Sequence, residues 1–522
     1  MPDRLVTIDQ LVAAMASEHV PAVLDVRDLI ESERGHIPGA AILPRRRIEF
    51  RMESLVRDRA TPLIAVDSGE HLDDGARDPR AALAAETLSA LGYRDIAALE
   101  GGVAAWRRAG LPVVSGTQVS SKAFGRRIGD LERVPAIDVE TLRRWFEQGR
   151  RVALCDVRSA GEHTEGCIPG AVSLPGFEIV SHALDMAAES DIIVLCSTAR
   201  TRSRIVARTL IDLGLTDVAI LDGGALAWQL AGHALEQGSR RRRVAPSKPS
   251  RQFAELGSAR LAKHFGVDRI EAAELAALMV APSGNFGAFD LRHPGQHAMG
   301  HVPRSVSMGN DALIVRHDEA IAVRDAPVVL IDDDAVRALL TGVWLRRLGL
   351  PRVHELAGGF AAWTASGRAA SSVPELPLGW NEASAVAPGL GVDDVPGWLA
   401  AHAPAQVVHV DTSASYRRGH VPGAKWLPRG WLEPRVARVA PSLGDALLVT
   451  CTDGSQSAFA AATLRRRGYA HVAWLQGGTR LWHAAGRALE LAPLPPDDDE
   501  LLPPARRDAQ AMRDYLDWER RR

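Results

Sequence analysis

One pattern occurs four times along this chain, and it sets the domain count before any other argument is needed. Val23-Leu24-Asp25-Val26-Arg27 precedes Glu33-Arg34-Gly35-His36-Ile37-Pro38-Gly39-Ala40, and Leu154-Cys155-Asp156-Val157-Arg158 precedes Glu165-Gly166-Cys167-Ile168-Pro169-Gly170-Ala171. Phe289-Asp290-Leu291-Arg292 precedes Gly300-His301-Val302-Pro303, and Val410-Asp411-Thr412-Ser413 precedes Gly419-His420-Val421-Pro422-Gly423-Ala424. Each copy closes on two glycines and a tryptophan: Gly101-Gly102 with Trp106, Gly223-Gly224 with Trp228, Gly358-Gly359 with Trp363, Gly477-Gly478 with Trp482. The copies recur about every 120–135 residues, the size of one ordinary domain. The reading is four domains at 1–115, 135–236, 266–369 and 388–490. Linkers at 116–134, 237–265 and 370–387 join them, and a tail covers 491–522.

Within the first copy the periodicity predicts helix at Ile8–Ser17, strands at Val20–Val26 and Leu63–Val66, and helix at Ala81–Leu91. A strand at Ile96–Leu99 and a helix at Val103–Ala109 follow. Strands alternating with helical stretches imply an α/β fold, a parallel sheet covered on both faces, with function at the carboxyl ends of the strands. Arg240-Arg241-Arg242-Arg243 and two prolines mark 237–250 as an exposed linker separating the first pair of domains from the second. After the Pro/Asp-rich Pro493–Pro504, the stretch Ala505–Arg521 reads as a charged helix that packs back on the body.

The charge balance removes several function classes. A net charge of −2 supplies no basic field for nucleic acid. No apolar run approaches the ~20 residues that cross a bilayer, and Met1-Pro2-Asp3-Arg4-Leu5 is not a secretory leader. Four cysteines without a C-x-x-C pair read as reduced thiols in a cytoplasmic protein.

The chemistry concentrates where the apolar run Ile192–Leu195 meets Cys196, followed by Ser197-Thr198-Ala199-Arg200-Thr201-Arg202-Ser203 and a helix. A thiol at a strand–helix junction lies among backbone N–H groups at the positive helix end. With Arg200 and Arg202 nearby, that arrangement favours a thiolate and binds anions.

The Asp-x-Arg strand, the Gly-His-Ile-Pro-Gly-Ala loop, the cysteine loop and the Gly-Gly-x-x-x-Trp helix together resemble the rhodanese (sulfurtransferase) family. The resemblance implies four small domains, each with a parallel sheet of about five strands flanked by helices. It also implies transfer of a sulfane sulfur through a cysteine persulfide, the alternative being a non-catalytic sulfur-carrier or scaffold protein. The implied partners are a small sulfur donor such as thiosulfate and a thiol or cyanide acceptor, with a protein acceptor as a further option. No cofactor and no metal are implied.

Aligning the four loops against each other sorts them. Leu63–Val66 ends at Asp67 and Val328–Ile331 ends at Asp332, whereas the second and fourth copies carry Cys196 and Cys451. A carboxylate cannot carry a sulfane sulfur, so the first and third copies are expected to be inactive, giving a tandem inactive–active arrangement twice. Cys451 lies 17 residues before Gly468, as Asp332 lies before Gly349. Its loop Thr452-Asp453-Gly454-Ser455-Gln456-Ser457 has Gln456 where arginine is common, and Asp453 favours a neutral or thiol partner over thiosulfate. Cys196 lies 18 residues before Gly214, and three readings of that extra residue stand open. The loop is one residue longer and active, or register is kept and Ser197 takes the catalytic position. The third is a Cys-x5-Arg loop resembling rhodanese-like phosphatases and arsenate reductases. Catalytic candidates are therefore Cys451 and Cys196. Ser197, Arg200, Arg202, Ser203, Thr452, Gly454, Ser455, Gln456 and Ser457 are the substrate-binding candidates.

The remaining features have plainer readings. Cys155 is core, Cys167 is a loop substitution, and the tryptophans anchor helices. The Asp-x-Arg pairs (Asp25/Arg27, Asp156/Arg158, Asp290/Arg292) fix the loop after the first strand, with Asp411 and Ser413 as the fourth version. Pro294 and Gly295 break the His293, His297, His301 spacing, which removes it as a metal face. Asp332-Asp333-Asp334 reads as a degenerate catalytic loop.

Overall fold

The structure is a computed structural model that describes residues 4–17, 20–72, 75–116, 119–131, 133–281, 284–492, 499 and 501–521. Residues 493–498 and 500 of the Pro/Asp-rich stretch lie outside the described residues. Each repeat builds one five-stranded, all-parallel sheet. The first has β1 (Leu5–Val6), β2 (Ala22–Asp25), β3 (Ala41–Ile42), β4 (Leu63–Val66) and β5 (Ile96–Leu99) in the order β1-β5-β4-β2-β3. The second has β6 (Ala136–Ile137), β7 (Val152–Asp156), β8 (Val172–Ser173), β9 (Ile192–Cys196) and β10 (Val218–Leu221). The third has β11 (Asp268–Ile270), β12 (Gly287–Asp290), β13 (Val306–Ser307), β14 (Val328–Ile331) and β15 (Val353–Leu356). The fourth has β16 (Gly389–Leu390), β17 (Gln406–His409), β18 (Lys425–Trp426), β19 (Ala446–Thr450) and β20 (His471–Leu475). All four share one strand order. The central strands carry the apolar runs because helices bury both of their faces. Most of the edge strands have only two residues, too few to leave a period, and they were not separable from loop by pattern.

Cα packing divides the chain into two compact units, and the pairing differs from the expected tandem. Met1–Thr117 joins Leu376–Leu501, so the first and fourth repeats share a unit. Gln118–Glu375 joins Leu502–Arg522, so the second and third share the other. The 237–265 segment is correspondingly more than a linker. Ser247 caps an 18-residue helix, Lys248–Phe265, with Pro249 in its first turn. It buries Ala254, Gly257, Leu261 and Ala262 in a core that the second and third repeats build together. A small-residue face, not an apolar stripe, does this packing, so composition alone read it as linker. The arginines preceding it stay on the surface, Arg241 pairing with Glu236 and Arg243 with Glu189.

In the unit of the first and fourth repeats, equivalent segments after β3 and β18 cross reciprocally. Arg45 pairs with Glu433, and Arg429 pairs with Glu49. Phe50 meets Phe459 edge-on at 5.6 Å, and Arg80 stacks over Trp431 at 3.8 Å.

Strand register corrects one internal alignment. Asp25 pairs with Val66, Asp156 with Cys196 and Asp290 with Ile331, and the residue paired with Thr450 is His409. The carbonyl of His409 accepts from Leu427 at 2.9 Å, as that of Asp25 accepts from Leu43 at 2.8 Å. His409 therefore takes the aspartate's place and Asp411 takes the arginine's. Ser413 is not the arginine's counterpart. In the first three repeats the arginine clamps its aspartate, Arg27 to Asp25 at 2.6 Å for example. In the fourth, His409 is wholly buried with both ring nitrogens unpartnered, and burial pushes its pKa down to about 4.

Candidate active site

A glycine in each Gly-Gly-x-x-x-Trp helix serves as a ruler for the four loops. Gly102, Gly224, Gly359 and Gly478 hold φ between +52° and +61°, and each lies against one loop carbonyl. A Cβ there would fall 2.5 Å from the oxygen of Asp67, 2.1 Å from Ser197, 2.2 Å from Asp332 and 2.3 Å from Cys451. Only glycine fits so close an approach. The amide pattern agrees: Ala225 N donates to Ser197 O at 2.9 Å, and Thr479 N donates to Cys451 O at 2.8 Å. The residue in register with Cys451 is thus Ser197, and Cys196 is in register with Thr450.

One residue along a strand turns a side chain to the opposite face. Cys196 accordingly lies in a core cluster with Val139, Leu142, Leu154, Val194, Leu221 and Trp228. Its thiol is pushed well above the ordinary range, by burial first and by the neighbouring Asp156 carboxylate second. The expected electropositive surroundings are also absent. Arg202 donates to Glu162 at 2.7 and 2.8 Å and to Asp311 at 3.1 Å, which holds the Glu162 carboxyl near 2 despite its burial. Arg200, 1% exposed, is spent on Asp222, on the Leu516 carbonyl at 3.2 Å and on Glu519 at 3.2 Å. The last two belong to the tail helix Ala509–Arg521. Its Leu516 packs on Ala199 and Leu226, and Glu519 also takes the Thr201 hydroxyl at 2.9 Å. Ser197 and Ser203 face each other at 3.2 Å inside this filled loop.

The fourth loop has a different content. Cys451 ends the run of β19 and precedes the 12-residue helix Ser455–Arg466, which Gly454 opens with φ +92°. Two amides point at the sulfur: Gly454 N at 3.1 Å and Ser457 N at 3.4 Å. The thiol reaches the Ser457 hydroxyl at 3.5 Å, and that hydroxyl donates onward to the Gly454 carbonyl at 2.9 Å. Asp453 Oδ1 accepts from Ser455 N at 3.0 Å, from Ser455 Oγ at 2.6 Å and from the Cys451 thiol at 3.8 Å. Thr452 Oγ1 donates to Asp411 at 2.6 Å. Gln456 leaves the loop for the first repeat, donating to the Arg46 carbonyl at 3.1 Å. Cys451 has no exposed surface. Burial pushes its pKa up to about 11, with Ser457 opposing and Asp411 adding to the rise.

The two aspartate loops are closed by their own carboxylates. Asp67 accepts from Gly69 N at 3.0 Å and Ala81 N at 3.1 Å, and burial beside Asp78 raises it to about 7. Asp332 is clamped by Arg337 at 2.7 and 2.9 Å. Each carboxylate sits where an anion would bind. Cys155 is in the core against Met186 Sδ at 3.6 Å, and Cys167 is buried with its backbone bridged to Glu236. The four tryptophans are buried, each donating its indole N–H to a carbonyl six residues on, as Trp106 does to Pro112 at 2.7 Å. Among the described residues no helix is long and apolar enough to cross a membrane.

Comparison with known proteins agrees with this architecture. The rhodanese-like domain model matches residues 7–109, 138–231, 271–366 and 395–485. A crystal structure of thiosulfate sulfurtransferase from Pseudomonas aeruginosa superposes with a TM-score of 0.87 at 32% identity, covering 99% of this chain and 96% of that one. Thiosulfate sulfurtransferase GlpE of Stutzerimonas stutzeri is 36% identical over 81 residues, 16% of this chain and 72% of its own length. The HTH-type transcriptional regulator Rv0324 of Mycobacterium tuberculosis is 34% identical over 101 residues, 19% of this chain. The chain spans only 43% of that regulator's length. Four matched stretches on four sheets of one topology place the protein in the rhodanese-like family.

Proposed function

We propose that the chain is a sulfurtransferase whose single working nucleophile is Cys451. The observation carrying this reading is the pair of amides, Gly454 N and Ser457 N, aimed at the Cys451 sulfur. The Cys451 thiolate attacks the outer sulfur of thiosulfate, forming an S–S bond as the sulfur–sulfur bond of the donor breaks. Sulfite leaves with the bonding pair. The resulting persulfide anion rests against the same two N–H groups, which stabilise it as fixed donors stabilise an oxyanion. A thiolate or cyanide then attacks the outer persulfide sulfur, and Cys451 is released as thiolate. No oxidant, metal or organic cofactor enters the balance. Because Cys451 is enclosed, donor entry requires the loop around it to open. The unpaired state of all four cysteines suits a reducing, cytoplasmic setting.

Cys196 is assigned a packing role, and the second repeat a non-catalytic one. Ser197 in the nucleophile's register supports this, as does the insertion of Glu519 beside Arg200 and Thr201. The test is intact-protein mass spectrometry after thiosulfate treatment. A gain of about 32 Da that persists in Cys196→Ser and vanishes in Cys451→Ser is expected. An unmodified wild type with several sulfane donors overturns the reading.

A further inference from the structure

We infer that Arg46, contributed by the first repeat, recognises the anionic end of the sulfur donor at the Cys451 site, an inference that rests on the function proposed above. The position five residues after the cysteine register is arginine in the second and third repeats and glutamine in the fourth: Arg202, Arg337 and Gln456. The first repeat places Arg80 there, since Ala81 N bonds Asp67 as Ser457 N bonds Cys451. Those three arginines are neutralised on the spot, Arg80 by Asp78 and Glu31, Arg202 by Glu162 and Asp311, and Arg337 by Asp332. The Cys451 loop has no guanidinium of its own, and it is flanked by two carboxylates, Asp411 and Asp453.

The partner repeat supplies what the loop lacks. Backbone equivalence after β3 and β13 puts Arg46 in register with Asp311: the carbonyls of Asp25 and Asp290 accept from Leu43 and Met308, each three residues earlier. In one unit Arg202 reaches across to a carboxylate at this place. In the other, Gln456 reaches across to the backbone of an arginine. The Arg46 carbonyl is held twice, by Gln456 Nε2 at 3.1 Å and by Arg429 Nη1 at 3.1 Å, so its position beside the loop is built in. The guanidinium, by contrast, makes no hydrogen bond among the described residues. Its Nε is buried without an acceptor, and the nearest carboxylate, Asp28 Oδ1, stands at 3.7 Å. Asp28 is shared with the Trp431 indole at 3.2 Å and with Arg80 at 3.9 Å, and at 3.7 Å it lies beyond hydrogen-bond reach of Arg46. Asp411, which takes the Thr452 hydroxyl, is held down against burial by that bond, by the Thr412 N–H and by the charges of His409 and Arg46. A largely buried guanidinium with an unpartnered Nε, on the segment whose carbonyl Gln456 of the Cys451 loop holds, suits the bidentate, planar recognition of a sulfonate.

The experiment uses the full chain and two donors: thiosulfate, and 2-hydroxyethyl hydropersulfide, which has no sulfonate. In Arg46→Gln the KM for thiosulfate is expected to rise about tenfold or more with kcat within about threefold. Arg46→Lys is expected to recover part of the loss. Sulfur uptake from the hydropersulfide, read as the mass gain on Cys451, is expected to be unchanged in both variants. If Arg46→Gln leaves the thiosulfate KM unchanged, or weakens both donors equally, the inference fails while the Cys451 reading stands. If the wild type takes sulfur from neither donor, the Cys451 reading itself fails and this inference goes with it.

Discussion

Replacing Cys196 by valine separates the two cysteines more cleanly than any serine scan. Val66 and Ile331 occupy the equivalent place in the first and third repeats, both in the core, so an apolar residue is expected to be tolerated at 196. Valine at 196 places a β-branched, apolar side chain at the end of β9 among Val194, Leu221 and Trp228. It adds roughly one methylene of burial, at most about 0.8 kcal/mol favourable, against overpacking of similar size. The net change is within about 1 kcal/mol. In a unit of this size that moves the melting temperature by no more than about 2–4 °C. Sulfur uptake from thiosulfate should match the wild type. Cys451→Ser should fold equally well, because Gly454 N and Ser457 N can donate to a hydroxyl as they do to sulfur. It should lower uptake by about a thousandfold or more, the scale of losing a nucleophile. Scanning calorimetry and intact mass measure both quantities on the same samples. Loss of uptake in Cys196→Val, with an unchanged melting temperature, refutes the register argument. So does a 32 Da gain in Cys451→Ser.

Further outcomes follow from the geometry. With the Cys451 pKa at about 11, above the unperturbed 9.0, uptake should rise about tenfold per pH unit between pH 7 and 10. Asp411→Asn removes a charge that opposes the thiolate, so uptake at pH 8 should increase, and an unchanged pH–rate profile counts against that assignment. The same shift means the neutral thiol favours the folded state below pH 9, a contribution lost as the pH climbs from 9 towards 11, which denaturant titration at pH 8 and 10.5 will reveal. Gly454→Ala would need φ +92° and a Cβ 2.9 Å from Gly477 N, costing about 1–2 kcal/mol and slowing uptake at least tenfold by stopped-flow. Glu519→Leu strips Arg200 and Thr201 of an acceptor while Asp222 remains, costing about 1–3 kcal/mol. Faster amide exchange in 199–205, with Cys451 chemistry untouched, is the expected signature.

The repeats, the α/β class and the aspartate or cysteine ending each central strand are legible in the residues themselves. A parallel strand buried on both faces writes a continuous apolar run, and a tight Gly-Gly approach leaves a spacing that survives in all four copies. The tryptophans and Cys155 read as core for the same reason. The edge strands were invisible because two residues carry no period, and the Lys248–Phe265 helix because its buried face is made of small residues.

The decisive ambiguity was one residue wide. Counting from Cys196 to Gly214 exposes an extra residue but cannot say on which side of the strand end it is absorbed. In a strand that choice reverses the face of every side chain, and the carbonyl held against Gly224 settles it in favour of Ser197. The fourth copy hid a like error: Asp411 imitated the Asp-x-Arg motif, and only the pairing of His409 with Thr450 shows the shift. Charge was the other quantity that sequence could not assign. Arg200 and Arg202 look like an anion cradle on paper, yet Glu519, which takes Arg200, lies 319 residues beyond it, and Asp311, which takes Arg202, lies 109 beyond it. Sequence by itself determined how many domains there are and what fold each takes, because those depend on local pattern. Tertiary structure decided which thiol faces the loop amides and which arginines are taken up by carboxylates, because strand register and ion pairing are settled between segments far apart in the chain.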